Sequence, residues 1–150
     1  MTPDTAPAHK PVPVPDPTSE AYWAAAAEHR LALARCGRCG RFTHPPDVVC
    51  PHCLSTDPGF TFEPVDGRGT VRSWTVLRDS FLPGFAEDIP FVLVDVELDV
   101  QVDLRLIGRL VDGPDAPLRL GDRVVTVFDA RDDGPPVPAF ALDPTAEGER

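Results

Sequence analysis

Between Thr70 and Phe140 the apolar positions recur mainly at every second residue, in short runs broken by turn-forming stretches. The clearest run is Thr70 to Arg78, introduced by Gly67-Arg68-Gly69. Its alternation places Val71, Ser73, Thr75 and Leu77 on one face and Arg72, Trp74, Val76 and Arg78 on the other. Further β-like runs cover Phe91 to Leu98, Leu104 to Leu110 and Arg123 to Phe128, and Phe140 closes a fifth, short strand. Asp112-Gly113-Pro114 and Leu120-Gly121-Asp122 separate them with turn chemistry. Five short strands with no helical period between them predict a small closed barrel of the oligonucleotide/oligosaccharide-binding (OB) type, with an open sandwich as the competing arrangement.

Ahead of the strands the pattern is different. Asp16-Pro17 reads as a helix N-cap followed by proline at the first helical position, and Glu20 sits favourably near the positive end of the helix dipole. Ala24 to Ala27 favour helix by propensity, so a short helix is predicted to about Glu28. Tyr22 and Trp23 supply almost all of its burial, and their rings have two destinations: the core of this chain, or a partner's groove. From Leu31 the pattern turns strand-like up to the first cysteine, and Asp57-Pro58-Gly59 marks a turn before the barrel.

Composition sharpens this division. Prolines gather in the first 17 residues and again from Pro135 to Pro144. The expected organisation is therefore a flexible leader over 1–17, a helix and metal module over 18–60, a barrel over 61–142 and a flexible tail over 143–150. The net charge is −10, and the region after residue 60 carries nine basic against eighteen acidic residues. Lysine occurs once, at Lys10. Nucleic-acid binding depends on clustered Lys and Arg that release counterions, so this balance argues against it. No basic segment followed by an apolar stretch opens the chain, and no uninterrupted apolar run approaches a membrane span. A soluble, cytoplasmic protein is expected.

Every cysteine falls in one motif, Cys36-x2-Cys39, ten residues, Cys50-x2-Cys53. Each pair can turn back so that two sulfurs reach one ion, as in four-cysteine zinc sites. Four thiolates leave no open position on Zn²⁺ for substrate or activated water, so the predicted role is structural. Gly37, Gly40 and Pro51 suit the tight backbone around the sulfurs, and Arg35, Arg38 and Arg41 are placed to offset the negative cluster. Iron is the alternative metal and disulfides the alternative chemistry, the latter disfavoured in a reducing compartment. His44 and His52 lie close by but are superfluous as ligands.

Candidate catalytic chemistry is sparse. No nucleophile elbow or phosphate loop is present, and the region from residue 61 onward contains no histidine. The loop from Asp79 to Pro90 stands out instead, because Phe81, Leu82 and Phe85 are large apolar groups between two strands. They either fold back to plug the barrel end or present a patch for a partner or an acyl chain.

CGRCGRFTHPPDVVCPHC, GRGTVRSWTVLRDSFLPGFAEDIPFVLVDVELD, IGRLV, LGDRVVTVF and a late PAF together resemble the acyl-CoA-associated zinc-ribbon/OB-fold family, domain of unknown function thirty-five, from about Tyr22 to Phe140. The resemblance implies an N-terminal helix, a rubredoxin-like zinc ribbon built on Cys36, Cys39, Cys50 and Cys53, and a C-terminal OB-fold. It also implies a non-catalytic accessory or scaffold subunit, in a hetero-oligomer with a thiolase-like or lipid-transfer-protein-like enzyme that acts on acyl-CoA, including steroid side chains. The corresponding partner or acyl-CoA surface comprises Phe81, Leu82 and Phe85, with Tyr22, Trp23, Arg72 and Arg78 as further candidates. Autonomous acyl-CoA binding, with Arg72 or Arg78 on the CoA phosphates, is the alternative, and single-strand nucleic-acid binding a second. Where relatives place an acidic-Gly turn between the second and third barrel strands, this chain reads Asp99-Val100-Gln101-Val102-Asp103.

Overall fold

The computed structural model describes residues 8–149, so residues 1–7 of the expected leader and Arg150 of the expected tail lie outside the described residues. Asp16 organises the first element. Its Oδ1 accepts the backbone N–H groups of Thr18 (3.0 Å) and Ser19 (2.8 Å) and both their hydroxyls. The bond from the Ser19 hydroxyl leads the effects that hold this carboxyl below its ordinary range. With those donors satisfied, residues 17–19 form a turn and helix α1 runs Glu20–Ala27, starting later than the Asp16-Pro17 pair suggests. At its far end His29 adopts a left-handed φ of 58°. The N–H groups of His29 and Arg30 return to the carbonyls of Ala26 and Ala25, both at 2.9 Å, the paired bonds of a Schellman terminus.

The helix leads into β1 (Ala32–Arg35), which lies between β2 (Phe42–Thr43) and β3 (Thr61–Pro64) in a small antiparallel sheet. Leu31 to Ala34 are buried without interruption, with α1 packed against β1. The second sheet contains β4 (Arg68–Leu77), β5 (Phe91–Leu98), β6 (Arg105–Arg109), β7 (Arg123–Asp129) and β8 (Val137–Leu142). Their order is β6-β5-β4-β7-β8, with every neighbouring pair antiparallel. A parallel bridge joins Leu110 to Phe140, and the Val111 N–H donates to the Phe140 carbonyl at 2.8 Å. The outer strands are thereby drawn together into a nearly closed five-stranded barrel, the predicted architecture. The last strand runs on both sides of Phe140, from Val137 to Leu142. Pro138 obscures it in the sequence, but the strand tolerates proline because along that stretch it pairs on one side only.

One expectation about β4 is corrected. A bulge between Val71 and Ser73 shifts the register. Gly69 and Val71 pair with Leu98 and Val96 before it, and Trp74 and Val76 pair with Val94 and Val92 after it. Directly paired residues share a face, so the inward positions pass from odd to even numbers and Ser73 and Thr75 no longer share the face of Val71. Gly69 faces Glu97 so closely that a Cβ there would lie 2.6 Å from the Glu97 carbonyl oxygen and 2.5 Å from Val96 Cγ1.

Tyr22, Leu31, Leu33 and Phe42 from the ribbon side join Val71, Val94, Val96, Leu106, Val124 and Phe140 of the barrel in one apolar cluster. A polar clasp reinforces it. The Gln101 side chain accepts the Phe42 N–H at 2.8 Å and donates to the Phe42 carbonyl at 3.0 Å, so an amide in the β5–β6 turn binds both backbone groups of one ribbon residue.

Two outcomes test this account. Gly69→Ala should cost about 2 to 3 kcal/mol in urea unfolding, since the carbonyl it meets belongs to a paired strand that cannot move alone. Gln101→Ala should cost about 1 to 3 kcal/mol by leaving the Phe42 N–H unpartnered, whereas Val102→Ala, at an exposed neighbour, should be near neutral.

Candidate metal centre and apolar surface

The two Cys-x-x-Cys segments fold as copies of one knuckle. After Cys36 the chain turns so that the Gly40 N–H donates to the Cys36 carbonyl at 2.8 Å, and after Cys50 the Leu54 N–H donates to the Cys50 carbonyl at 2.9 Å. The closing residue is left-handed in both, with φ of 74° at Gly40 and 60° at Leu54. Glycine takes this conformation freely; Leu54 holds it at a cost on the order of 1 kcal/mol. Leu54 is also largely exposed, so its place in the knuckle, not burial, sets its backbone.

The result is a cluster of four free thiols, two buried (Cys36, Cys50) and two exposed (Cys39, Cys53). Their sulfurs all lie within 4.8 Å of one another, with Cys36 to Cys53 at 3.9 Å and Cys39 to Cys50 at 3.8 Å. Tetrahedral coordination at about 2.3 Å requires sulfurs about 3.8 Å apart, so the geometry fits a four-thiolate ion and not a disulfide. Protonation agrees. Burial alone would raise the Cys50 thiol, but the N–H groups of Cys53 and His52 and the neighbouring sulfurs outweigh it and bring it to about 6. At Cys53 the Ser55 N–H favours the thiolate, yet burial and the other three sulfurs push the thiol up to about 11. Sulfurs this crowded resist sharing negative charge, and a bound cation removes that resistance.

Two of the three expected arginines, Arg35 and Arg38, brace the knuckles. Arg35 donates from Nε to the Gly40 carbonyl at 2.8 Å and pairs with Glu63 at 3.1 Å. Arg38 donates to the Asp57 carbonyl at 3.0 Å and pairs with its carboxylate at 2.9 Å. Arg41 is exposed. Neither histidine belongs to the sulfur cluster: His44 packs 5.1 Å from the Tyr22 ring, where burial lowers its pKa, and His52 Nε2 lies 3.0 Å from the Phe42 carbonyl oxygen.

The candidate surface residues divide. Tyr22 is only 7% exposed, its hydroxyl pushed up to about 12 by burial, so its ring is part of the chain's own core. Trp23 packs against that core partly buried, edge-on to Tyr22. Arg72 is ion-paired with Glu97 across the sheet, while Arg78 is exposed at the end of β4. Within the loop, Phe85 turns inward to within 6.0 Å of Phe91, whereas Phe81 is 98% and Leu82 57% exposed. The loop thus both covers the barrel end and presents an apolar tip.

Beneath it lies an apolar groove of about 380 Å³, lined by Leu77, Leu82, Phe85, Phe91, Leu93 and Ile107, with Arg109 and Arg131 at its polar side. Sequence reasoning missed the contributions of β5 and β6. The signal was the unbroken run Phe91 to Val94: four apolar residues in a row cover both faces of a strand, and the outward pair, Phe91 and Leu93, floors the groove.

A helix, a four-thiol ribbon and an OB barrel with a shared core define a metal-ribbon/OB-fold protein. Residues 23–59 match the family model described as ChsH2, rubredoxin-like zinc ribbon domain, and residues 62–129 that described as ChsH2, C-terminal OB-fold domain. A solved structure described as the Ltp2-ChsH2(DUF35) aldolase superposes with a TM-score of 0.73 at 30% identity, covering 87% of this chain and 98% of that one. The chain belongs to the ChsH2 (DUF35) family. A DUF35 protein from Sulfolobus solfataricus shares the fold at 16% identity, with a TM-score of 0.56 over 85% of this chain and 86% of its own. A probable enoyl-CoA hydratase alpha subunit of Thermomonospora curvata is 33% identical over 106 residues, or 70% of this chain. The chain spans 31% of that relative's length. No helix of the described residues is long and apolar enough to cross a membrane.

Metal analysis of the purified protein should find one ion per chain. Cys50→Ser should reduce this to near zero and destabilise the fold by on the order of several kcal/mol, since binding energy at such sites is folding energy.

Proposed function

We propose that this chain is a non-catalytic accessory or scaffold subunit that binds a thiolase-superfamily enzyme, of the lipid-transfer-protein-like thiolase or aldolase kind, acting on acyl-CoA. The observation that carries this reading is the match over 98% of the ChsH2 chain of an Ltp2-ChsH2 aldolase. The metal chemistry agrees with it. Four cysteines are a closed ligand set for structural Zn²⁺, which would act as a cross-link and leave no position for a substrate. The name of the Thermomonospora curvata relative, an enoyl-CoA hydratase subunit, supports acyl-CoA as the chemistry of the partner; degradation of steroid or other lipid side chains is the finer assignment we favour. Free thiols as metal ligands suit the reducing cytoplasm. In this reading the leader, ribbon, barrel and tail divide at 1–17, 18–60, 61–142 and 143–150, and the docking surface is the loop bearing Phe81 and Leu82.

The groove favours a second reading, autonomous acyl-CoA binding, in which its apolar lining takes the acyl chain and Arg78 meets a phosphate. Arg72 is less suited to that role because Glu97 occupies it. Single-strand nucleic-acid binding is the weakest of the three, opposed by the excess of acidic residues after residue 60.

A tagged full-length chain recovered from native lysate should carry a thiolase-superfamily enzyme in near-equal amount, and Phe81→Ser should weaken that complex at least about tenfold, as an exposed aromatic anchor would. A monomer that retains no such enzyme, and that binds acyl-CoA by calorimetry, would overturn the accessory reading in favour of the second.

A further inference from the structure

The leader makes contacts that neither the ribbon nor the barrel needs in order to close. Lys10 Nζ lies 2.6 Å from Asp88 Oδ2, and the other oxygen of Asp88 lies 3.3 Å from Arg109 on β6. Each cation also stands over an aromatic ring, Lys10 5.4 Å from the centre of Phe85 and Arg109 5.3 Å from that of Phe91. Burial alone would raise the Asp88 carboxyl, but Lys10 and Arg109 overcome it and hold it below the ordinary carboxylate range. One carboxylate is therefore shared by two elements distant in sequence, and both cations sit on the aromatic pair that covers the barrel end.

The backbone is fitted to the same contact. Gly84 has a φ of 79°, and a Cβ on it would lie 2.5 Å from the Lys10 nitrogen and 2.8 Å from the His9 carbonyl carbon. The leader thus lies directly on the loop's main chain, where a side chain would hold it off. It continues across the β7–β8 loop, with His9 3.4 Å from Asp132 and Val12 against Gly134. The base of the 79–90 loop is fixed by the leader on one side and by β6 on the other, while Phe81 projects into water at 98% exposure and Leu82, at 57%, rims the groove beside it.

We propose that the leader is a working part of the docking surface: it is a strap whose single lysine, Lys10, latches the 79–90 loop and sets the direction in which Phe81 and Leu82 are presented. This rests on the reading of that loop as the enzyme-docking surface. Lys10 is a positioning residue that acts through Asp88 and Phe85 without requiring contact with the partner. A loop held in its docking conformation beforehand loses less freedom on association, which is the gain a latch supplies. Lysine suits the place because a compact charge on a long apolar stem can reach the carboxylate while lying over the ring.

The test combines local amide exchange with binding, on full-length wild type, Lys10→Ala, Lys10→Arg and Phe81→Ser. Lys10→Ala should speed exchange of residues 81–89 at least about tenfold and leave Val92 to Val96 unchanged, which a general loss of stability would not do. Lys10→Arg should restore most of the protection. Lys10→Ala should also weaken the complex with the co-purified thiolase-superfamily enzyme about five- to thirtyfold. Unchanged exchange in 81–89 would overturn the strap. Faster exchange with full binding would overturn the positioning role if Phe81→Ser still weakens the complex. If Phe81→Ser binds normally too, the docking reading of the loop fails, and the proposal with it.

Discussion

The seat of Phe42 on the barrel is the contact through which the ribbon and the barrel hold each other. Its ring is buried in the common core, Arg35 lies over it at 5.6 Å, and Gln101 takes both of its backbone hydrogen-bonding groups. Burying a phenylalanine is worth roughly 2 to 3 kcal/mol, a large contribution for a ribbon with two very short flanking strands. A module of this size buries too little surface to be stable alone. Phe42 lies between Cys39 and Cys50 in the chain, so the same few residues that join ribbon to barrel also fix the separation of the two knuckles. His52, between the second pair of cysteines, reaches back to the same carbonyl. Sulfur geometry and barrel position are therefore coupled through one residue.

That coupling explains what the sequence could and could not disclose. The cysteine spacing was legible because knuckle geometry is local: each pair closes on its own five-residue turn, and their meeting requires only the short segment between them that contains β2. Four of the barrel strands, β4 to β7, were legible from alternation bounded by glycine and proline. Gln101 was not, because a glutamine in a polar hairpin tip has no local signature, and its role appears only once the tip meets a backbone 59 positions away. The bulge in β4 is equally invisible, since it inserts one residue without changing composition and inverts every inward position that follows. The departure at Asp99 to Asp103 was noted in the sequence, but its purpose lies in the ribbon it touches.

The aromatic residues show the same limit from another side. Tyr22, Phe81 and Phe85 are similar in size and apolarity, and their sequence surroundings do not rank them by burial. Tyr22 lies in the core, Phe85 is half covered, and Phe81 is almost wholly in water. What separates them is the neighbour supplied from elsewhere in the chain: His44 for Tyr22, Phe91 and Lys10 for Phe85, and, among the described residues, no aromatic or cationic partner for Phe81, which is 98% exposed. A proline-rich leader read by composition alone is a candidate for mobility, because proline cannot take part in most ladder bonds. Composition carries no information on whether one lysine within it finds a carboxylate.

An exposed phenylalanine at the tip of a loop with a fixed base is informative for a physical reason. Folding could have hidden Phe81 as it hid Phe85, four residues on, in a loop rich in glycine and proline that could have turned either way. Instead the inward position is occupied, and its occupant is held by a cation, a second ring and the main chain of the leader. Ordering this base costs conformational entropy, and the contacts that offset the cost all lie on the inner side. The outer side gains nothing from them within this chain. Rigidity at a surface that faces water serves preparation for a partner better than stabilisation of the monomer, and a four-cysteine set, closed once an ion is bound, is consistent with the proposal that this surface carries the docking role.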